Sequence, residues 1–478
     1  MPRLTNFFRL DLDQAQLDFV NIDTDADARF FIDPYALELR EDEWCTKCTT
    51  KIKTFFTALL DALRADDPAR VQHLVSHLTE PRETFLGVSR GRPQGRGIGR
   101  DQSQDIVDAL RQSRAFQTGL LSDLAEAELF IRGIGPDKIS DLTTNIIRGA
   151  LIEYTRDQCA LLQIPTRDGT AHAPIWDENH LRWETGFSSL PVVDDKQVLF
   201  VPKFIVRHRL CLDSGEYYYH HVLNFLQQEY LSNAASGLVR VLKSGERRVY
   251  KKDVQKLHPF SKEFLADFTR NNPQVLELYK KLAENESSLR NIDFDKSFDA
   301  AAFAQALKTT LGQIPRGMED ASRYHSFMYG ALTFLFYPHL VAPVKENEIH
   351  EGRKRVDIAY SNAAKTGFFF EMLSANQTRA IRILIECKNY SRELGNPEID
   401  QIAGRFGPTR GKFGIICCRE VFDPAELTKR CKDTALDDRG FIIALDDASL
   451  GIMLDNIIRG ARNANDQFLR QAFNELTN

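Results

Sequence analysis

Residues 381–388, Ile-Arg-Ile-Leu-Ile-Glu-Cys-Lys, constrain the fold more than any other stretch of the chain. In a strand, alternation sends Ile381, Ile383, Ile385 and Cys387 to one face and Leu384, Glu386 and Lys388 to the other. Apolar side chains on both faces belong inside a sheet that is covered on both sides. The strand nevertheless ends in a carboxylate and an amine on a single face. Either charge is costly to bury alone, so the two are paired with each other, hydrated, or bound to a metal. A plain strand-end salt bridge meets that demand as well as a metal site does, and the neighbouring sequence has to decide between them.

From about residue 318 strand and helix patterns alternate. A helix spans Ala321–Phe336, and a hairpin follows in VKENEIHEGRKRVDIAY, turning at Glu351-Gly352. After the Glu386 strand, Asn396-Pro397 opens a helix to about Phe406, which Gly407-Pro408 ends. KFGIICC is an apolar strand, Pro424 starts another helix, and GFIIAL precedes a terminal helix. This alternation predicts a partly parallel, helix-covered sheet. Upstream, helical patterns dominate, including 48–64, most of 102–162, a helix capped by Ser214 and running to Leu231, and several over 260–313. VLFVPKFIVR, residues 198–207, reads as strand. A chain of 478 residues implies two or three domains. We divide it into a helix-rich α/β domain over 1–295, which recognises, senses or regulates, and a second domain over 296–478.

The chemistry-bearing residues fall in a definite order. On the second hairpin strand Asp357 shares a face with Arg355; on the first, Glu346, Glu348 and His350 share a face. In the helix after the Glu386 strand, Glu398, Gln401 and Arg405 form one face, and Ile399, Ile402 and Phe406 the other. Ligands of such sheets gather at the carboxyl ends of the strands.

An acidic hairpin, Asp357, Glu386-x-Lys388 and then a Gln-bearing helix resemble the PD-(D/E)xK nuclease superfamily, and most closely its Mrr-like branch. Val356 stands where the family's Pro is found, and Glu386-Cys387-Lys388 matches Glu-x-Lys. The resemblance covers roughly the last third of the chain. It implies a restriction-endonuclease-like mixed sheet flanked by helices, and Mg²⁺-dependent hydrolysis of DNA with Mn²⁺ able to substitute. Asp357, Glu386 and the carbonyl of Cys387 are then the metal ligands, as hard oxygen donors. Lys388 orients the water and stabilises the transition state, and Gln401 holds the water or a phosphate oxygen. Glu348 is a further acid, with Glu346 the alternative in a shifted register. The resemblance also implies self-association and a role in bacterial defence against phage. The alternatives are a non-catalytic nucleic-acid-binding or scaffold component of a defence complex, and a recombination or repair nuclease.

A formal net charge of −5 excludes a uniformly basic surface but not a local basic groove. The densest basic run is VRVLKSGERRVYKK, residues 239–252. There Arg247, Arg248, Lys251 and Lys252 are candidate DNA contacts, as is Arg405 on the later helix, and Tyr250 offers a stacking surface. The Gly/Arg run 87–100 is not a P-loop, since no Lys-Ser/Thr follows; Arg90, Arg92, Arg96 and Arg100 could grip a phosphate backbone. Cys45 and Cys48 lack the second pair that a zinc site needs and read as helix-face thiols. Eight cysteines without a disulfide pattern fit a reducing cytoplasm, and no apolar run is long enough for a bilayer. DNA is the expected partner, with room for a separate protein partner.

Overall fold

The computed structural model describes residues 3–23, 28–87, 100–233, 236–284, 288–345 and 357–477. Its N-terminal part is built on two long helices. In α1 (Glu43–Arg64) the apolar positions Ile52, Phe55, Phe56, Leu59, Leu60 and Leu63 recur at helical spacing and are buried. Asp42 caps it, accepting from the Cys45 N–H at 3.1 Å. In α2 (Pro136–Leu162) Pro136 occupies the first turn, and Gln163 ends the helix in the left-handed region at φ 55°. A hairpin of β1 (Arg167–Asp177) and β2 (Arg182–Leu190) rests on α1 through Trp176 and Trp183, whose rings lie 5.1 and 5.6 Å from Phe55.

The sequence pattern misplaces three things here. The run 198–207 is strand only at Val206–Arg207, paired with Phe31–Ile32. Pro202 interrupts it, and its backbone groups pair with other partners: Leu199 N–H with Glu83 O at 2.8 Å and Phe200 N–H with Thr155 Oγ1 at 2.9 Å. The cap near residue 214 is Asp213, which accepts from Glu216 N–H at 2.7 Å, while the Ser214 hydroxyl donates to Glu128 at 2.9 Å. The helix after Asn396 ends at Ala403, short of Phe406.

The C-terminal part is mixed α/β. Helices α3 (Ala300–Gly312) and α4 (Ala321–Phe336) precede the strands β3 (Leu340–Val344), β4 (Ile358–Asn362), β5 (Arg382–Lys388), β6 (Phe413–Cys418) and β7 (Phe441–Leu445). These form one sheet in the order β7-β6-β5-β4-β3. The pairs β3·β4 and β4·β5 are antiparallel; β5·β6 and β6·β7 are parallel. Ile383 to Cys387 and all of β6 are buried, as apolar runs in a doubly covered sheet should be. The crossover helices are α5 (Asn396–Ala403) and α6 (Pro424–Leu436), and α7 (Asp447–Ile458) and α8 (Ala464–Thr477) complete the chain.

Buried apolar residues form two clusters. One runs from Leu4 to Ala283 and the other chiefly from Ala304 to Leu476, yet Tyr337, Val341 and Ala342 belong to the first and Ala15 to the second. The two are joined by a buried polar knot. Asp18, 0% exposed, accepts from Tyr154 Oη at 2.7 Å and from Ala342 N–H at 3.0 Å. Lys203, also 0% exposed, lies with its amine 4.4 Å from the Tyr337 ring centre. Burial lifts the Asp18 carboxyl to about 6 against the pull of Tyr154 and Lys203, and burial lowers the Lys203 amine to about 7 against the pull of Asp18. Removing one partner strands the other. Lys203→Met takes the donor from Gln14 O and Asn291 Oδ1, at 3.3 and 3.4 Å, and the positive charge from the surroundings of Asp18; it should therefore lose about 1–3 kcal/mol of unfolding free energy, and the double variant Asp18→Asn/Lys203→Met should lose less. Denaturant titration of both variants checks this.

Candidate active site

The register of the central strands brings the site together. Ile358 pairs with Ile385 across the antiparallel β4·β5 ladder, so Asp357, one step earlier, stands opposite Glu386, one step later. Cross-strand neighbours point to the same face. Instead of a ladder bond, the Cys387 N–H donates to Asp357 Oδ2 at 2.6 Å. Glu386 and Lys388 share a face as the period of two requires, and α5 brings Gln401 over them. The Lys388 amine donates to Glu386 Oε1 at 2.6 Å and to Gln401 Oε1 at 3.1 Å, and the Gln401 amide donates to Glu386 Oε1 at 2.5 Å. Two donors thus converge on one Glu386 oxygen. Among the described residues, the other, Oε2, is buried and has no hydrogen-bond partner.

That bare oxygen sits in a demanding field. Glu386 is 1% exposed. Burial first, and the Asp357 carboxylate second, raise its carboxyl to about 7, against the opposing pull of Lys388 and Arg405. Burial disfavours the charged Lys388, but the Glu386 carboxylate outweighs it and the amine is held above its ordinary value. Two carboxylates pushed together and an orphaned acceptor are what a divalent cation relieves, so the residues present fit such an ion. A strand-end salt bridge on its own would leave Oε2 unexplained.

One participant was not legible in the sequence. His325, on α4, lies with Nε2 3.1 Å from the Cys387 carbonyl oxygen and Nδ1 3.8 Å from Asp357 Oδ1. Its neighbours, Tyr324, Phe327 and Met328, are core residues, and only the fold turns this ring toward the strand ends.

The remaining expected site residues are placed as follows. Glu346 and Glu348 lie outside the described residues, as do His350, Arg355 and the arginines 90, 92 and 96. Cys387 is buried at 2% exposure, leaving its carbonyl as the group turned to the site. Arg405, expected on an exposed nucleic-acid-binding face, is instead buried at 2%: α5 has ended, and the side chain serves as positive charge near Glu386. Arg247 and Arg248 are exposed on a two-stranded hairpin, and Lys251 and Lys252 begin the helix Lys251–Leu257. The Tyr250 ring beside them already has the guanidinium carbons of Arg240 and Arg248 at 5.5 and 5.3 Å, so it is not a bare stacking face. Cys45 and Cys48 are buried in α1, and burial holds both thiols protonated. Among the described residues, His, Cys, Asp and Glu ligand atoms gather in threes within 4.8 Å at one place, Asp177, His180 and Glu184 near the β1–β2 turn. These groups are internally satisfied: His180 Nδ1 lies 2.5 Å from Asp177 Oδ2, and Glu184 pairs with Arg182 at 2.8 Å.

Comparison with known proteins gives little beyond this geometry. Residues 9–213 match a family described as a domain of unknown function (DUF8370), a span that ends well before the sheet carrying Glu386. Over 127 residues the chain is 32% identical to the putative transposon gamma-delta 80.3 kDa protein of Escherichia coli (strain K12). The match takes in 27% of this chain and 17% of that relative's length. No solved structure matches the chain. Among the described residues, no helix is long and apolar enough to cross a membrane.

The raised Glu386 carboxyl has a measurable sign. A folded-state value above the unfolded one contributes stability below the unfolded value that is lost as pH rises through the folded one. In a chelator, wild type should lose stability relative to Glu386→Gln from about pH 4.5 to about pH 7 and run parallel to it above. Thermal melts of both proteins across that range test this.

Proposed function

We propose that the C-terminal domain is a metal-dependent deoxyribonuclease and that the chain acts on foreign DNA in bacterial defence. One observation carries the reading: Asp357 and Glu386 face each other across β4·β5, while Lys388 and Gln401 bind a single Glu386 oxygen and leave its partner bare.

Asp357, Glu386 through Oε2, and the Cys387 carbonyl would hold the ion, Mg²⁺ with Mn²⁺ as a substitute. When bound, such an ion lowers the pKa of its water and polarises the phosphate. Each residue of the chain then has a task. Asp357 is fixed by the Cys387 N–H, so its remaining oxygen is oriented rather than free to rotate. His325 steadies the Cys387 carbonyl from the side of α4. Lys388 stays protonated and brings a positive charge, pinned by Gln401, to where a phosphate oxygen gathers charge. Gln401 has both ends of its amide engaged, and so sets the spacing between amine and carboxylate. The exposed Arg247, Arg248 and Lys252 supply non-specific phosphate attraction at a distance. Cutting both strands calls for two copies of the site, so the protein is expected to self-associate, and a separate protein partner would deliver the trigger.

A second reading, a recombination or repair nuclease, is favoured by the relative's name, which associates it with a transposon. It uses the same site and differs in the DNA form preferred.

The decisive assay offers linear, circular, single-stranded and modified DNA to the purified protein with Mg²⁺ or Mn²⁺. Cleavage is expected, and Lys388→Ala or Asp357→Ala should reduce it by at least about a hundredfold with circular dichroism unchanged. Cleavage undiminished in both variants, or none with any DNA and either metal, would overturn the reading. His325→Ala should raise the Mg²⁺ concentration for half-maximal rate about tenfold, a shift visible in a metal titration.

A further inference from the structure

The N-terminal part holds a cavity of about 430 Å³ that the nuclease reading does not use. Its walls come from the loop around Arg82–Phe85, from α2, from both strands of the β1–β2 hairpin and from the turn before Leu199. Segments so distant in sequence make a preformed site, and its volume falls in the small-molecule range.

The floor is Arg148, 1% exposed. Its guanidinium donates to Glu83 Oε1 at 2.7 Å, Pro174 O at 3.1 Å and Asn145 Oδ1 at 2.9 Å. Asn145 is itself fixed by donating to Thr79 O at 2.6 Å and Asp141 O at 2.7 Å. The Arg148 contacts use three of the five guanidinium N–H donors, so the fork is rigidly aimed with donors to spare. At the exposed mouth stand Arg82 and Lys196. Among the described residues neither has an acid within ion-pair distance. The acids of the wall are otherwise engaged: Glu83 with Arg148 at 2.7 Å, and Asp195 with Arg167 at 3.3 Å. Beside this basic side lies an apolar one of Phe85, Ala173, Leu190 and Leu199.

We propose that this cavity binds a phosphate-bearing small molecule of mononucleotide size. Its phosphate would be taken by Arg82, Lys196 and the spare donors of Arg148, and its ring would lie along the Phe85 side. The geometry argues against a bare ion, because half of the wall offers an anion nothing. It also argues against an uncharged ligand, which would make no use of the two mouth cations Arg82 and Lys196; Arg148, by contrast, already has Glu83 as its counter-charge.

The test uses the full chain with AMP, GMP, adenosine and inorganic phosphate as probes, read by calorimetry and thermal shift. AMP or GMP should bind and raise the melting temperature, and adenosine and phosphate should each bind at least tenfold more weakly. Arg82→Glu/Lys196→Glu, both exposed positions, should weaken nucleotide binding at least tenfold with the unliganded melting temperature unchanged. No binding of AMP or GMP to the folded wild type, binding undiminished in the double variant, or phosphate or adenosine binding as tightly as the nucleotides would each overturn the proposal. None of these readouts depends on DNA cleavage, so they leave the nuclease reading to its own assay.

Discussion

A carboxylate buried at the end of an apolar strand governs the C-terminal half. Glu386 cannot be both desolvated and beside Asp357 without help. Everything around it answers that problem: the Lys388 amine and Gln401 amide on one oxygen, Arg405 lending charge from within the core, and a second oxygen that has no hydrogen-bond partner among the described residues. The antiparallel β4·β5 pair sets the two acids opposite each other, and the parallel β5·β6 pair frees the carboxyl end of β5 for α5 to cross. The mixed sheet is thus the means by which residues scattered from Asp357 to Arg405 reach one place.

The second constraint is the junction. Asp18, Tyr154, Gln158 and Lys203 come from the N-terminal part and meet Tyr329, Tyr337, Ala342 and Pro343 of the other. Buried polar contacts of this kind tolerate little sliding, because any shift leaves desolvated groups unpaired. α2 takes part in both halves of the story. Arg148 floors the cavity near its middle, and Gln158, about 15 Å further along the axis, donates to the Pro343 carbonyl at 2.7 Å.

Sequence periodicity carried far in some places and failed in others for identifiable reasons. Glu386 and Lys388 were readable because a period of two leaves no choice of face. Gln401 was readable because Ile399 and Ile402 fix the buried side of α5. The same helical count, pushed past Ala403, put Arg405 on a surface it does not occupy. The β1–β2 hairpin escaped notice because its register shifts twice and much of it is partly exposed, which breaks the alternation that marks a strand. His325 carried no local signal among core aromatics. The run 198–207 had the composition of a strand, but its backbone finds partners in other loops and in Thr155, a tertiary outcome that composition does not encode.

β3 is an outermost strand of the sheet, and outermost strands invite unwanted pairing. Here that rim is closed from outside: Asp18 takes the Ala342 N–H, Gln158 serves the Pro343 carbonyl, and Pro343 has no N–H to offer. Asp18 and Gln158 therefore act as a stopper for a strand 324 and 185 positions further along the chain. A fragment cut at residue 296 would carry the acids and the lysine with that rim uncorked, and would be prone to stack strand against strand into aggregates rather than behave as an isolated catalytic module.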